Sequence, residues 1–117
     1  MARSQTQYLS DICEAMKDAQ DVAAGHDLED FRTDRQLRYA IERALEIIGE
    51  ATSNLSDEMK ARDPSIPWNA MRGLRNIVAH AYHRVDAKRV WTVVKQDLPE
   101  THEKIHVLLD EVRAEEP

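Results

Sequence analysis

Apolar residues recur with the period of an α-helix along most of the chain. The clearest stripe continues for about five turns and follows Thr33 and Asp34, either of which can cap the N terminus of a helix. This stripe consists of Leu37, Ile41, Ala44, Ile48, Ala51 and Leu55. Glycine and proline are scarce, with three and four residues among 117. The pattern therefore favours a series of amphipathic helices that bury their apolar faces against one another.

The sequence predicts an all-α, up-and-down bundle of four to five helices in a single domain over residues 1–117. The first helix is expected over residues 4–24 and ends at Gly25, whereas residues 26–32 are interpreted as a linker from which Leu28 and Phe31 can pack back onto the core. Gly49 lies inside the second helix, where glycine costs about 1 kcal/mol relative to alanine. A close contact with another helix or subunit at this position would explain its presence.

Prolines and a capping residue define the second half of the chain. Pro67 suits the first turn of a third long helix, and Asp86 is a suitable N-cap for the helix that follows. Pro99 is expected to break or kink that helix, or to open the last one. Trp68 and Trp91 are interpreted as core anchors rather than as platforms for stacked bases.

Composition is typical of a folded helical domain. Hydrophobic residues make up 42% of the chain and aromatic residues only 5%, which argues against a β-sandwich. The single cysteine, Cys13, permits no intrachain disulfide and is expected to be a packed thiol. No stretch has the apolar length of a membrane span or of a signal peptide, so we expect no membrane association and a cytoplasmic protein.

Basic residues concentrate in the centre of a chain whose net charge is −6. Between residues 60 and 95, only Asp63 and Asp86 oppose the lysines and arginines. These basic residues are Lys60, Arg62, Arg72, Arg75, Arg84, Lys88, Arg89 and Lys95. The segment can present a basic groove on an acidic body, although acidic termini also simply keep a protein soluble.

One short stretch, residues 75–82, places an unusual set of side chains within about two helical turns. Asn76 and His80 are four residues apart and share one stripe of the helix, while Arg75 and Tyr82 share a second. A solvated helix face more commonly carries glutamate and lysine. This set instead combines a cation, an imidazole and two further hydrogen-bonding groups.

Such groups suit cleavage of RNA without a metal ion. An unperturbed histidine has a pKa near neutrality, so His80 can act as general acid and base, while Arg75 can bind phosphate oxygens and stabilise charge in the transition state. Asn76 can orient the imidazole or hold a phosphate oxygen. Arg75 and His80 lie about 140° apart around one helix, so we expect two copies of the helix to form a composite site in a homodimer.

The stretch resembles the R-x4-H motif of HEPN-domain ribonucleases, and its extension to Tyr82 resembles the HepT-type toxins of toxin–antitoxin pairs. Further segments similar to that family occur in the expected order and cover most of the chain. They are Ile66-Pro67-Trp68, Val85-Asp86, Val90-Trp91 and Asp97-Leu98-Pro99. The resemblance implies a HEPN-like helical bundle, a homodimer with the motif at its interface, and a ribonuclease toxin acting on tRNA or mRNA.

The resemblance also implies a protein partner, a minimal nucleotidyltransferase antitoxin. Such a partner can transfer AMP to the motif tyrosine, here Tyr82, using ATP and magnesium, whereas RNA cleavage itself needs no cofactor. Neutralisation by binding alone remains open. Arg72, His83 and Arg84 are weaker candidates for contacts with RNA.

Two other functions compete with this interpretation. Residues 102–106 match the H-E-x-x-H pattern of zinc proteases, but Lys104 interrupts the pattern with a charge and the helix is the last of the chain. The alternative is a non-catalytic helical module that binds nucleotide, RNA or a partner protein. In that case Arg75 and His80 would bind phosphate without cleaving it.

Overall fold

The computed structural model describes residues 3–81 and 87–117, with residues 80 and 81 described through the backbone alone. The described residues form helices and connecting turns without any strand, so the predicted all-α fold is confirmed. The helices are α1 (Gln5–Ala23), α2 (Leu28–Thr33), α3 (Arg35–Ser53), α4 (Asp57–Lys60), α5 (Trp68–Arg72), α6 (Leu74–Ala81), α7 (Ala87–Thr92) and α8 (Leu98–Ala114), with a π-helical turn (Val93–Asp97) between α7 and α8.

Side-chain caps define where several helices begin. Ser4 forms a capping box with Gln7 at the start of α1, and Asp34 rather than Thr33 caps α3 by accepting from the Leu37 amide. Gly25 follows α1 with a φ of +79°, a conformation that glycine adopts without a steric penalty. The predicted boundaries of α1 and α3 are therefore confirmed to within a residue or two.

The prediction of a linker over residues 26–32 is wrong, because α2 occupies most of it, but the expected packing of Leu28 and Phe31 onto the core is confirmed. Asp27 and Asp30 form a reciprocal capping box that satisfies the free amides of this short helix. Phe31 is fully buried, and its ring centroid lies 5.6 Å from that of Trp91. The capping box and the burial of Phe31 therefore stabilise α2, although this helix is too short to be recognised from apolar periodicity.

Pro99 explains the π-helical turn before α8. Proline has no amide hydrogen and its ring clashes with the carbonyl four residues earlier, so a regular α-helix cannot continue through this point. The Leu98 amide instead bonds to the Val93 carbonyl, five residues back, and Pro99 lies in the first turn of α8. Of the expected effects of Pro99, the start of a new helix is confirmed.

Helix α3 lies at the centre of the bundle and packs against α1, α2, α5 and α6, while α8 packs against α1. One continuous core joins these helices, and it includes both tryptophans, as predicted. The Trp68 indole also donates to the carbonyl oxygens of Lys60 and Asp63 at 2.9 and 3.1 Å. Within residues 3–81 and 87–117, no helix is long and apolar enough to cross a membrane.

Candidate active site on helices α5 and α6

The R-x4-H stretch follows a break between two short helices. The sequence predicted one helix from Pro67, but α5 ends at Arg72 and α6 begins after Gly73. At the junction, the Asn76 amide donates a hydrogen bond to the Gly73 carbonyl at 3.0 Å. This bond spans three residues instead of four, so the turn is tighter than in an α-helix. Gly73 itself has helical angles (φ −72°, ψ −9°), so this turn does not depend on the conformational freedom of glycine. Arg75 to Ala81 still share α6, so Asn76 and His80 lie one helical turn apart along the backbone, as predicted.

Helix α6 approaches α3 closely at Gly49. A Cβ atom built on the buried Gly49 would lie 2.6 Å from Arg75 Cγ and 3.1 Å from the Arg75 amide nitrogen. The Arg72 carbonyl oxygen would be 3.3 Å from the same Cβ. The predicted close contact at Gly49 is therefore confirmed, and it involves the motif arginine itself.

The two faces of the α5–α6 pair differ as the sequence predicted. Met71, Leu74 and Val78 are buried in the core. On the other side, Arg75 and Asn76 are exposed, as is Arg72 at the end of α5. Among the hydrogen bonds and ion pairs of the described residues, none involves the side chains of these three polar residues. Within the described part of the chain, the hydrogen-bonding groups of these side chains are therefore not engaged.

The remaining predicted site residues lie at or beyond the end of α6. His80 belongs to α6, one turn after Asn76. Tyr82, His83 and Arg84 lie outside the described residues, as does the proposed N-cap Asp86. Their predicted roles, and the composite site between two subunits, stay predictions.

Glu42 is an ionisable residue that the sequence interpretation missed. It lies seven residues before Gly49 and therefore about 20° from it around α3. Its side chain is only 15% exposed, and Oε2 is buried without a hydrogen-bond partner among the described residues. Burial raises the pKa of its carboxyl group, against the opposing effect of Arg38, whose Nε lies 4.0 Å away. A polar residue on the same α3 stripe as Gly49 was the available signal.

A groove of about 820 Å³ separates α5 and α6 from α7 and α8. Its floor is apolar and includes Leu74 and Ile77, while Lys88 and Arg89 of α7 lie along it with exposed side chains. Asp97 and Glu100 also line the groove, so its charged residues are of both signs, and neither Arg72 nor Arg75 lines it. The basic groove expected from the sequence therefore stays a prediction.

His102 is engaged within the chain, whereas His106 is exposed. The Gln20 side-chain amide lies 3.2 Å from His102 Nδ1, and Lys104 contacts the Ser65 carbonyl oxygen at 3.4 Å. His106 lies 3.5 Å from Asp110. No group of three or more His, Cys, Asp or Glu residues in the described part of the chain could hold a metal ion. This arrangement does not favour a zinc protease.

Comparison with known proteins shows which family this chain resembles. The family model described as ribonuclease HepT-like matches residues 12–108. A Thermococcus cleftensis protein named "Probable ribonuclease HepT" is 40% identical over 108 residues, which cover 92% of this chain and 98% of that protein. A Methanocaldococcus jannaschii protein named "Putative RNase MJ1380" is 36% identical over 101 residues, covering 86% and 93% of the two chains.

No solved structure matches this chain. The family match includes α3, α5, α6 and α7, and so contains Gly49 and the whole R-x4-H stretch. The similar proteins match along nearly their full length, not in one shared segment. The chain therefore belongs to the HepT-like ribonuclease family.

Proposed function

We propose that this protein is a metal-independent endoribonuclease of the toxin type, with its chemistry on α6. The observation that carries the proposal is the exposure of Arg75 and Asn76, without internal partners among the described residues, in a chain of the HepT-like ribonuclease family. Relatives named as ribonucleases support the same reaction.

The proposed reaction is an internal transfer at phosphorus. His80 removes the proton of the ribose 2′-hydroxyl, and the 2′-oxygen attacks the adjacent phosphorus. The bond to the 5′-oxygen breaks, and that oxygen takes a proton from an imidazolium. The products are a 2′,3′-cyclic phosphate and a 5′-hydroxyl. Arg75 stabilises the charge that develops on the equatorial oxygens, and Asn76 orients the imidazole or a phosphate oxygen.

The proposed active form is a homodimer. Within one α6, Arg75 and His80 are separated by about 140° around the helix axis. Packing two copies about a two-fold axis brings Arg75 of one subunit toward His80 of the other. An isologous dimer of this kind is the commonest oligomer. Arg72, His83 and Arg84 would then lie near the path of the RNA, which is tRNA or mRNA.

The proposed partner is a minimal nucleotidyltransferase antitoxin. It neutralises the toxin by binding, by modification, or by both. In the modification, the Tyr82 hydroxyl attacks the α-phosphorus of ATP, the hydroxyl proton is lost, and magnesium pyrophosphate leaves. The AMP on Tyr82 adds bulk and negative charge beside the motif, which would exclude the RNA phosphates.

The test is RNA cleavage in EDTA by the purified chain, with Tyr82 shown to be unmodified by intact mass. We expect tRNA or mRNA to be cut, and His80→Ala to lose at least about 100-fold in rate, as for removal of a general acid–base group. His106→Ala, on the exposed face of α8, is the matched control and should cut normally. RNA that binds but stays intact would favour the non-catalytic module instead.

A further inference from the structure

We propose that Gly49 of α3 is a positioning residue, which holds the side chain of Arg75 in the orientation needed to meet a phosphate. The contact involves Arg75 Cγ, because a Cβ on residue 49 would lie only 2.6 Å from that atom. Side-chain Cβ atoms do not approach carbon atoms so closely, so any larger residue at 49 must displace the Arg75 side chain. It would also crowd the Arg75 amide nitrogen at 3.1 Å and the Arg72 carbonyl oxygen at 3.3 Å. This inference rests on the role proposed above for Arg75.

The position of Cγ decides where the guanidinium can go. The first side-chain torsion of arginine places Cγ, and the three staggered rotamers point the side chain in different directions. Arg75 Cγ occupies the space that a side chain at position 49 would fill. The packing of α3 therefore favours the Arg75 rotamer that places Cγ there. Arg75 as a residue is exposed, although its Cγ lies against Gly49 of α3.

Such packing reduces the number of side-chain states that must be lost when a phosphate binds. Arginine loses more rotamer freedom on ordering than most residues, and a stem that is already ordered loses less. A small displacement of a group that acts in the transition state is costly, on the order of 100-fold in rate for about 1 Å. Gly49 thus belongs to the site through Arg75, although glycine has no chemistry of its own.

Gly73 provides a matched control in the same region. It has helical angles, with φ −72° and ψ −9°, so alanine fits its backbone. A Cβ there would meet only the carbonyl oxygens of Ala70 and Asn69 at 3.4 Å, an ordinary contact distance. Gly49→Ala and Gly73→Ala therefore make the same chemical change beside the motif, but only the first displaces Arg75.

The first measurement compares cleavage kinetics of the two variants. We expect Gly49→Ala to lower kcat by at least about tenfold with little change in KM, because a misplaced Arg75 loses mainly transition-state contacts. Gly73→Ala should retain the kcat of the unchanged protein. If Gly49→Ala is folded and cuts RNA as fast as Gly73→Ala, the proposal is wrong.

A second measurement tests the contact without using catalysis. Arg75→Ala removes Cγ, so Gly49→Ala should lower Tm less in that background than in the unchanged protein. Equal losses of Tm in both backgrounds would show a role unrelated to Arg75 and would overturn the proposal.

A third measurement needs no variant. In the NMR spectrum of the unchanged protein, the Arg75 γ-methylene protons should show an Overhauser contact to the Gly49 α-protons, and its absence would overturn the proposal even if Gly49→Ala fails to fold. If the contact and the coupled Tm losses are found but the unchanged protein cuts no RNA, the proposed function fails and the contact stands without its catalytic consequence.

Discussion

Helices α6 and α8 both carry histidine among polar residues at helical spacing, but the partners of those residues differ. On α8, His102 contacts the Gln20 amide and His106 lies 3.5 Å from Asp110. On α6, the exposed Arg75 has no such partner among the described residues. The two helices therefore look alike in residue type and spacing but differ in how much hydrogen-bonding capacity is already used.

This difference shows why a motif alone identifies a site poorly. A polar group that is already bonded within the chain must give up that bond to bind a ligand, and the exchange gains little free energy. A group without an internal partner gains a charge-assisted hydrogen bond when phosphate arrives. The comparison supports the ligand-binding role proposed for the α6 face and gives His102 of α8 a contact within the chain instead.

The largest expected effect comes from removing the cation of α6. Arg75→Ala should lower kcat for RNA cleavage by about 100- to 1000-fold, the usual cost of losing one group that stabilises an oxyanion. The helical fold should persist, because the guanidinium has no internal partner among the described residues to lose. Steady-state kinetics and circular dichroism together measure the two parts of this prediction.

Arg43→Ala is the matched control for that experiment. Arg43 is also exposed on a helix, but it forms an ion pair with Glu46 at 3.3 Å. Its replacement should leave cleavage unchanged. A similar loss in both variants would mean that general positive charge, rather than a site on α6, governs activity.

Much of the helical fold could be predicted because its determinants are local. Ser4 and Asp34 cap helices through residues three positions away, and Gly25 ends α1 through its own φ angle. The same kind of signal existed for α2 in the Asp27–Asp30 capping box, but a helix of six residues shows too little apolar periodicity to be recognised.

The site was predicted less completely because it depends on contacts between helices. The sequence indicated that Gly49 meets another element, yet only the structure identifies Arg75 as its contact. The break at Gly73 was missed because a single glycine within a helical pattern is often tolerated. The burial of Glu42 follows from how α3 packs, and no local pattern reports it.

An intermediate effect, on stability rather than on cleavage, is expected from replacing Glu42 of α3. Like Arg75 of α6, Glu42 has a polar group without a hydrogen-bond partner among the described residues. Burial disfavours its charged form, so the pKa of its carboxyl group is raised above the usual 4.5. A raised carboxyl pKa means that ionisation opposes folding, and stability is lost as pH rises through the folded-state value. Glu42→Gln should therefore raise the free energy of unfolding at pH 7 by about 1 kcal/mol, and the gain should disappear near pH 4.

Glu46→Gln is the control for Glu42, since the Glu46 side chain is 47% exposed and pairs with Arg43. Its effect on Tm should be small at both pH values. Denaturant or thermal unfolding of the two variants at pH 4 and pH 7 measures the difference. If Glu42→Gln destabilises the protein at pH 7, the ionised Glu42 carboxylate has a favourable partner in the folded protein. Glu42 is then not an unsatisfied buried group.

The smallest effect is expected from His102 of α8. The Gln20 side-chain nitrogen can only donate, so His102 Nδ1 accepts and the ring is neutral in this contact. Burial, followed by the charges of His106 and Lys17, lowers the pKa of His102 below 6.5. His102 therefore binds a proton more readily in the unfolded chain than in the folded protein. The contribution of neutral His102 to stability is full above pH 6.5 and declines as the pH falls through its folded-state pKa.

Replacing His102 should flatten this acid dependence without changing catalysis. We expect the Tm of His102→Gln to fall less between pH 7 and pH 5 than that of the unchanged protein. The corresponding difference in the free energy of unfolding should be well below about 1 kcal/mol, because the site is partly solvated. RNA cleavage at pH 7 should be unaffected. A large loss of cleavage in His102→Gln would place this ring in the reaction, and the distinction between a ligand-binding α6 and a structural α8 would then be wrong.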